Sequence, residues 1–441
     1  MNAMSRCQMT RAGILILFLL AAVAKGASPD REKILAETLA PYAGPSLKGV
    51  DTSTLSNKVM CGYQGWFNAA GDNAGRDWFH WSKGGPLKPG NAKIDLWPDV
   101  SELGADERFA TGFTNASGNT AEVFSSYQEP TVLRHFQWMR DYGIDGAFVQ
   151  RFVVDLRDGP SLRHNNKVLG YCREGANRFG RAYAVMYDLS GLGANRVREV
   201  MDDWRELRTR MHVTDDPAYL HHRGRPLVAI WGIGFNDGRR YTMEDCRQLV
   251  EFFKKDGCSV MLGVPTGFRE LNHDTVKDPA LHEVLQLADV ISPWTTGRYT
   301  NPDEVRQREQ PTWHADLAWC AERNLDFLPV VFPGFSWFNM NGGKFNQIPR
   351  IKGQFLWSQL VAAKRAGASM IYVAMFDEVD EGTAIFKCTN EIPIGEPNRF
   401  VTYEGLPSDF YLRLTGQGAR MLRGELPVTD ILPETLLQET N

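Results

Sequence analysis

Four carboxylates stand within five residues in Phe376-Asp377-Glu378-Val379-Asp380-Glu381-Gly382-Thr383. A carboxyl crowded by like charge or taken out of water holds its proton to higher pH, so such a cluster is costly unless its protons are used. Glu378 and Glu381 are three apart. On a helical turn both would face one way, with Cβ atoms roughly 5–6 Å apart. Retaining glycosidases hold their two carboxyl groups about 5–5.5 Å apart. One carboxyl can then stay neutral and donate a proton while the other is ionised. Two other uses fit the same residues: a solvated acidic loop, or calcium held by Asp377 and Asp380, although the spacing lacks the EF-hand pattern.

The cluster follows the last of eight short runs rich in Val, Ile and aromatics and bounded by Gly, Pro or Asp. These are residues 58–62, 146–152, 182–187, 226–231, 259–263, 289–293, 327–332 and 369–376, which read as buried parallel strands. Helix patterns alternate with them at 129–142, 167–179, 195–211, 243–255, 279–287, 311–324, 353–367 and 408–422. Thr242 and Ser408 stand as N-caps for the fourth and eighth. The alternation predicts an α/β fold, a (β/α)8 TIM barrel with long βα loops, as a single domain over 57–425. Active sites of such barrels lie at the C-terminal ends of the strands, which puts the acidic cluster on that face. The excursion of about 65 residues after the first strand belongs there too. A doubly wound sheet is the competing topology. Its glycine loop would be Gly232-Ile233-Gly234-Phe235-Asn236-Asp237-Gly238, but the spacing is GxGxxxG and no acidic strand end follows where a dinucleotide site needs one.

Of the 12 Trp, seven follow strand ends: Trp66, Trp78, Trp81, Trp97, Trp231, Trp294 and Trp337. An indole offers a flat apolar face with a polar N–H, which suits a pyranose ring; the same residues equally suit covering the barrel mouth. Trp138, Trp204, Trp313, Trp319 and Trp357 fall on helices and read as packing. Gln150 and Arg151 end the second strand, and Tyr187 and Asp188 the third. Arg298 follows the sixth. These are candidates for binding sugar hydroxyls or orienting carboxylates. His80, between Phe79 and Trp81, reads as an exposed or hydrogen-bonded histidine.

The ends and the composition narrow the class. Arg6 and Arg11 precede an apolar run over 12–24, the length of a secretory signal and too short to span a bilayer as a helix. Residues 1–26 are read as a signal peptide, 27–56 as a leader and 426–441 as a tail. The protein is therefore expected to be secreted or periplasmic, with no stable membrane span once the signal is removed. Six cysteines remain after Cys7 leaves with the signal. None is spaced as CxxC, and buried thiols and bridges both fit. A net charge of −4 gives no basic surface for nucleic acid. HExxH, GxSxG and Walker patterns are absent, and no metal or organic cofactor is implied.

The segment from Asp377 to Thr383 resembles the N-E-W-x-E-G-T motif of glycoside hydrolase family 99, the endo-α-mannosidases. Cys61-Gly62-Tyr63-Gln64-Gly65-Trp66-Phe67 looks like that family's aromatic first-strand segment, and Gly143-Ile144-Asp145-Gly146 and residues 226–231 are also similar. The likeness runs thinly over 59–424 and is closest to the broad group described as family 71/99-like. It implies a glycosidase with a carbohydrate as partner. Glu378 would deprotonate the sugar 2-hydroxyl, which attacks the anomeric carbon, and Glu381 would act as general acid and then general base, with retention. Tyr63 and Asp377 join the binding candidates by this likeness. The family's Asn is Asp377 here and its Trp is Val379. The same features also fit a catalytically silent carbohydrate-binding barrel, an α-1,3-glucanase or a xylosidase/arabinosidase.

Overall fold

The computed structural model describes residues 29–157 and 159–436. The expected signal segment and the last five residues of the expected tail lie outside the described residues. In chain order the elements are α1 (Pro29–Thr38), β1 (Val59–Tyr63), β2 (Arg108–Thr114), β3 (Thr120–Phe124), α2 (Glu129–Asp141), β4 (Gly146–Phe152), α3 (Gly159–Phe179), β5 (Ala182–Asp188) and α4 (Arg198–Glu206). There follow β6 (His221–His222), β7 (Arg225–Trp231), α5 (Met243–Lys255), β8 (Ser259–Val264), α6 (Ala280–Leu285), β9 (Val290–Pro293), α7 (Pro302–Arg308) and α8 (Ala315–Ala321). The series ends with β10 (Asp326–Phe327), β11 (Val330–Val331), α9 (Phe338–Asn341), α10 (Gln354–Arg365), β12 (Ile371–Val373) and α11 (Phe410–Leu422).

The sheet is parallel in the order β10-β9-β8-β7-β5-β4-β1-β12-β11, with short β6 antiparallel to β7. β10 and β11 are two halves of one segment, interrupted at Leu328 and Pro329. β10 pairs with β9 and β11 pairs with β12, so this segment joins both ends of the sheet and the ring closes with eight strand positions. Proline has no N–H to give to a ladder. Its carbonyl still accepts from Tyr372 N at 3.0 Å, while Leu328 N reaches Ile291 O at 2.9 Å. This is the expected α/β barrel.

Strand residues point alternately into the barrel and out toward the helices. Inside, Tyr372, Met186 and Met375 meet below the mouth: the Tyr372 hydroxyl lies 3.6 Å from Met186 Sδ and 3.5 Å from Met375 Sδ. Gly62 is required beside them, because a Cβ there would sit 2.2 Å from Met375 Cε and 2.5 Å from the Tyr372 hydroxyl. Outside, the helix starts follow the sequence in part: α5 starts at Met243 as expected, α3 starts at Gly159 rather than 167, and α7 was not expected. Thr242 Oγ1 accepts from Asp245 N and the Asp245 carboxylate accepts from Thr242 N, a capping box that fixes the start of α5. Ser408 is not a cap; α11 begins after Asp409, whose side chain makes no capping bond. The five helix Trp are buried as expected. All six described cysteines are buried free thiols. No helix among the described residues is long and apolar enough to cross a membrane.

The excursion after β1 is ordered by its own hairpin, β2 against β3. The Trp81 and Trp97 indoles donate to its carbonyls at Phe124 (3.1 Å) and Glu122 (3.0 Å). This lays the excursion across the C-terminal mouth and carries residues 64–97 to the turn after β12.

Candidate active site

The acidic segment leaves β12 as a tight turn, not as a helical one. Gly382 N donates to Val379 O, Thr383 N and Ala384 N to Glu378 O, and Phe386 N to Phe376 O, so the chain folds back over itself. Gly382 takes φ +65°, which favours glycine, and a Cβ there would come within 3.1 Å of Ser336 N. Other segments pin the turn. Asp95 N and Leu96 N donate to Val379 O, Ser336 N donates to Glu381 O, and the buried Arg350 guanidinium donates to the carbonyls of Gly382 (2.8 Å) and Ala384 (2.7 Å).

Above the barrel floor lies a cavity of about 530 Å³. Glu378 and Glu381 both line it, together with Trp66, Trp231, Trp294 and Trp337. Glu378 is buried. One of its oxygens accepts from the Thr383 hydroxyl at 2.6 Å and the other from the side-chain amide of Gln64. Glu381 is enclosed on most sides yet still reachable from the cavity. Burial, then the nearby Glu381 and Asp380, hold the Glu378 carboxyl well above the usual range. Burial and Asp380 push Glu381 up to about 8, opposed by Trp337, whose indole N–H is near enough to stabilise charge but not in hydrogen-bond geometry. The pair titrates together, each ionisation making the other harder.

Asp188 also lines the cavity, its pKa raised by burial to about 6, with Ser190 N donating to it. Gln150 lines the cavity, its amide N–H given to the Tyr372 hydroxyl and its Oε1 unpartnered. Arg298 lines it while paired to Asp274 at 2.8 Å.

Five expected binding residues stand elsewhere. Tyr63, Arg151 and Tyr187 point out of the barrel into the helix layer. The Tyr63 hydroxyl bonds His135 Nδ1 at 2.8 Å. Arg151 and the Tyr187 hydroxyl both converge on buried Asp203 of α4. Trp81 is fully buried beneath the excursion, with its indole N–H already satisfied. Asp377 is buried below the turn and does not line the cavity. Its two oxygens accept the backbone N–H groups of Gln64 and Gly65, each at 2.8 Å, so it ties the first excursion to the acidic turn, and burial raises its pKa to about 7. Trp78 and Trp97 are also away from the cavity. Conversely, Gln64, Phe152, Phe235 and Arg239 line it without having been singled out as site residues. Gln64 stands two residues beyond inward-facing Gly62, a spacing that alternation alone could have exposed.

Raised carboxyl pKa values carry a stability signature. Between its unfolded value of 4.5 and its folded value of about 8, Glu381 binds protons that the unfolded chain has released, so stability falls as pH rises through that window. Glu381→Gln removes the loss. Its Tm should match the wild type near pH 4.5 and exceed it by about 2 °C or more at pH 8. Calorimetric scans across that range check this, and a difference independent of pH would contradict it.

No family model matches the chain, and no curated protein matches it. Solved structures do. One structure of the GH99 endo-α-mannosidase of Bacteroides thetaiotaomicron, in complex with bis-tris propane, superposes with a TM-score of 0.62 at 16% identity, over 84% of this chain and 99% of that one. Another structure of that enzyme gives 0.59 at 19% identity over the same shares. The chain has the barrel fold of these glycoside hydrolases.

Proposed function

We propose that the protein is a glycoside hydrolase that cleaves an α-linked glycan with retention, Glu378 and Glu381 being its catalytic pair. The observation that carries this reading is the pair itself: two carboxyls with raised pKa values open into one Trp-lined cavity at the C-terminal mouth of the barrel. Thr383 and Gln64 donate to Glu378 and oppose the burial that raises it, which suits it to release and regain a proton, and Glu381, raised to about 8, keeps its proton near neutrality; the base role of Glu378 follows the likeness of the motif.

In the first step Glu378 takes the proton of the sugar 2-hydroxyl. That oxygen bonds to the anomeric carbon as the glycosidic bond breaks, and the leaving oxygen takes the proton of Glu381. In the second, water attacks the anomeric carbon as its bond to O2 breaks, Glu381 takes a proton from the water, and Glu378 returns its proton to O2. Two inversions give retention. Likeness to the Bacteroides enzyme supports an endo-α-mannosidase-like specificity. Arg6, Arg11 and the apolar run over 12–24 support export.

The test is a panel of α-linked glycans, with the anomer first released from any cleaved substrate read by proton NMR. A retained anomer is expected. An inverted one would overturn the mechanism, and binding without any released reducing end would favour a silent binding barrel.

A further inference from the structure

Asp380 lies between the two proposed catalytic glutamates and has no part in the steps above. Its side chain is fully buried. Oδ2 is 2.7 Å from His80 Nδ1 and 3.9 Å from Lys93 Nζ, and that ammonium is 3.2 Å from the same imidazole nitrogen. Oδ1 has no partner. His80 is held in place from two directions. Its backbone takes φ +63°, and its ring stacks on Trp66, with centroids 3.7 Å apart and planes 11° apart. A non-glycine residue at positive φ is strained and persists only where the surroundings over-determine it. The first excursion thus delivers an imidazole and an ammonium to one buried carboxylate in the catalytic turn. A half-satisfied buried carboxylate asks for an explanation.

We propose that Asp380, held in place by His80 and Lys93, is a positioning residue whose carboxylate, next to Glu381 in the catalytic turn, keeps the proton on Glu381 until a glycosidic oxygen takes it. The proposal deepens the glycosidase reading and rests on it for the proton's purpose. A like charge close by disfavours ionisation, the more so away from water. Asp380 stands among the causes that raise both Glu378 and Glu381, and Lys93 opposes it at Glu381.

Other charged groups face the pair. Asp188 approaches from β5, and Asp377 lies below on the same turn. Asp95, from the first excursion, is engaged by Ser336, Phe338 and Asn339. Arg350 is spent on the carbonyls of Gly382 and Ala384. Asp380 and Lys93 differ from these in being charges of opposite sign that act on Glu381 and can each be removed by a near-isosteric change. Asp380→Asn keeps an acceptor for His80.

The experiment is a pH titration of protein labelled with carbon-13 at the glutamate carboxyls, the Glu381 resonance being assigned by its loss in Glu381→Gln. Relative to wild type, the Glu381 midpoint should fall by about one pH unit or more in Asp380→Asn and rise in Lys93→Gln. A midpoint that does not fall in folded Asp380→Asn overturns the proposal. If Asp380→Asn does not fold, Lys93→Gln decides: a rise supports the proposal and no change overturns it. The titration needs no turnover, so a protein that cleaves nothing defeats the glycosidase reading while leaving this result to stand or fall by itself.

Discussion

Glu381→Gln should lower kcat on an unactivated glycan by about 10²–10⁴-fold, the usual worth of a positioned general acid. The neutral amide fills the same space but has no proton to give. The loss in kcat/KM, which reports the first step alone, should depend on the leaving group, being largest for a sugar hydroxyl and much smaller for an aryl glycoside that departs without protonation, whereas kcat should fall for both because Glu381 also activates the water of the second step. The pH profile should change with it. In the wild type, kcat/KM should fall above about pH 8 as the free enzyme's Glu381 loses its proton, and this basic limb should be missing in the variant. Steady-state rates on a matched pair of substrates between pH 5 and 9 check both points. Equal losses of kcat/KM on the two substrates would show that Glu381 is not the acid.

The second large effect concerns stability. Asp203→Ala should lower Tm by about 4–6 °C. Arg151 Nε and Nη2 donate to the two oxygens of Asp203 at 2.9 and 2.5 Å, and the Tyr187 hydroxyl donates at 2.6 Å, all in a buried layer between β4, β5 and α4. Removing the carboxylate leaves a guanidinium stranded away from water, which costs about 3–5 kcal/mol. The cost is that of a broken pair. The double replacement of Arg151 by Met and Asp203 by Leu should therefore recover most of the lost Tm. Thermal unfolding of the single and double variants decides this, and an unchanged Tm in Asp203→Ala would contradict it.

The same residues show what was legible in the sequence. The eight apolar runs and the capped helices were readable because each strand is buried on both faces and each helix on one. The acidic cluster was readable as a site because it follows the last strand. The direction of individual side chains was not read. Gln150 and Arg151 are neighbours on β4, and Tyr187 and Asp188 neighbours on β5, so a strand's period of two sends one of each pair into the cavity and the other to the helices. The sequence reading assigned both members of each pair to the site. Trp81 and Asp377 were misplaced for another reason. Their partners, Phe124 and Gln64, come from the excursion after β1, whose hairpin was not anticipated and whose fold sets which indoles stay buried. His80 likewise gave no local sign that it would meet Asp380, 300 positions away in the chain.

The most direct test of the central claim is the rate of reducing-end release from the glycan panel by the wild type and by Glu378→Gln, both shown folded by circular dichroism. The account predicts cleavage of at least one α-linked glycan by the wild type and a loss of roughly a thousandfold in the variant. Near-equal rates from the two proteins would contradict it.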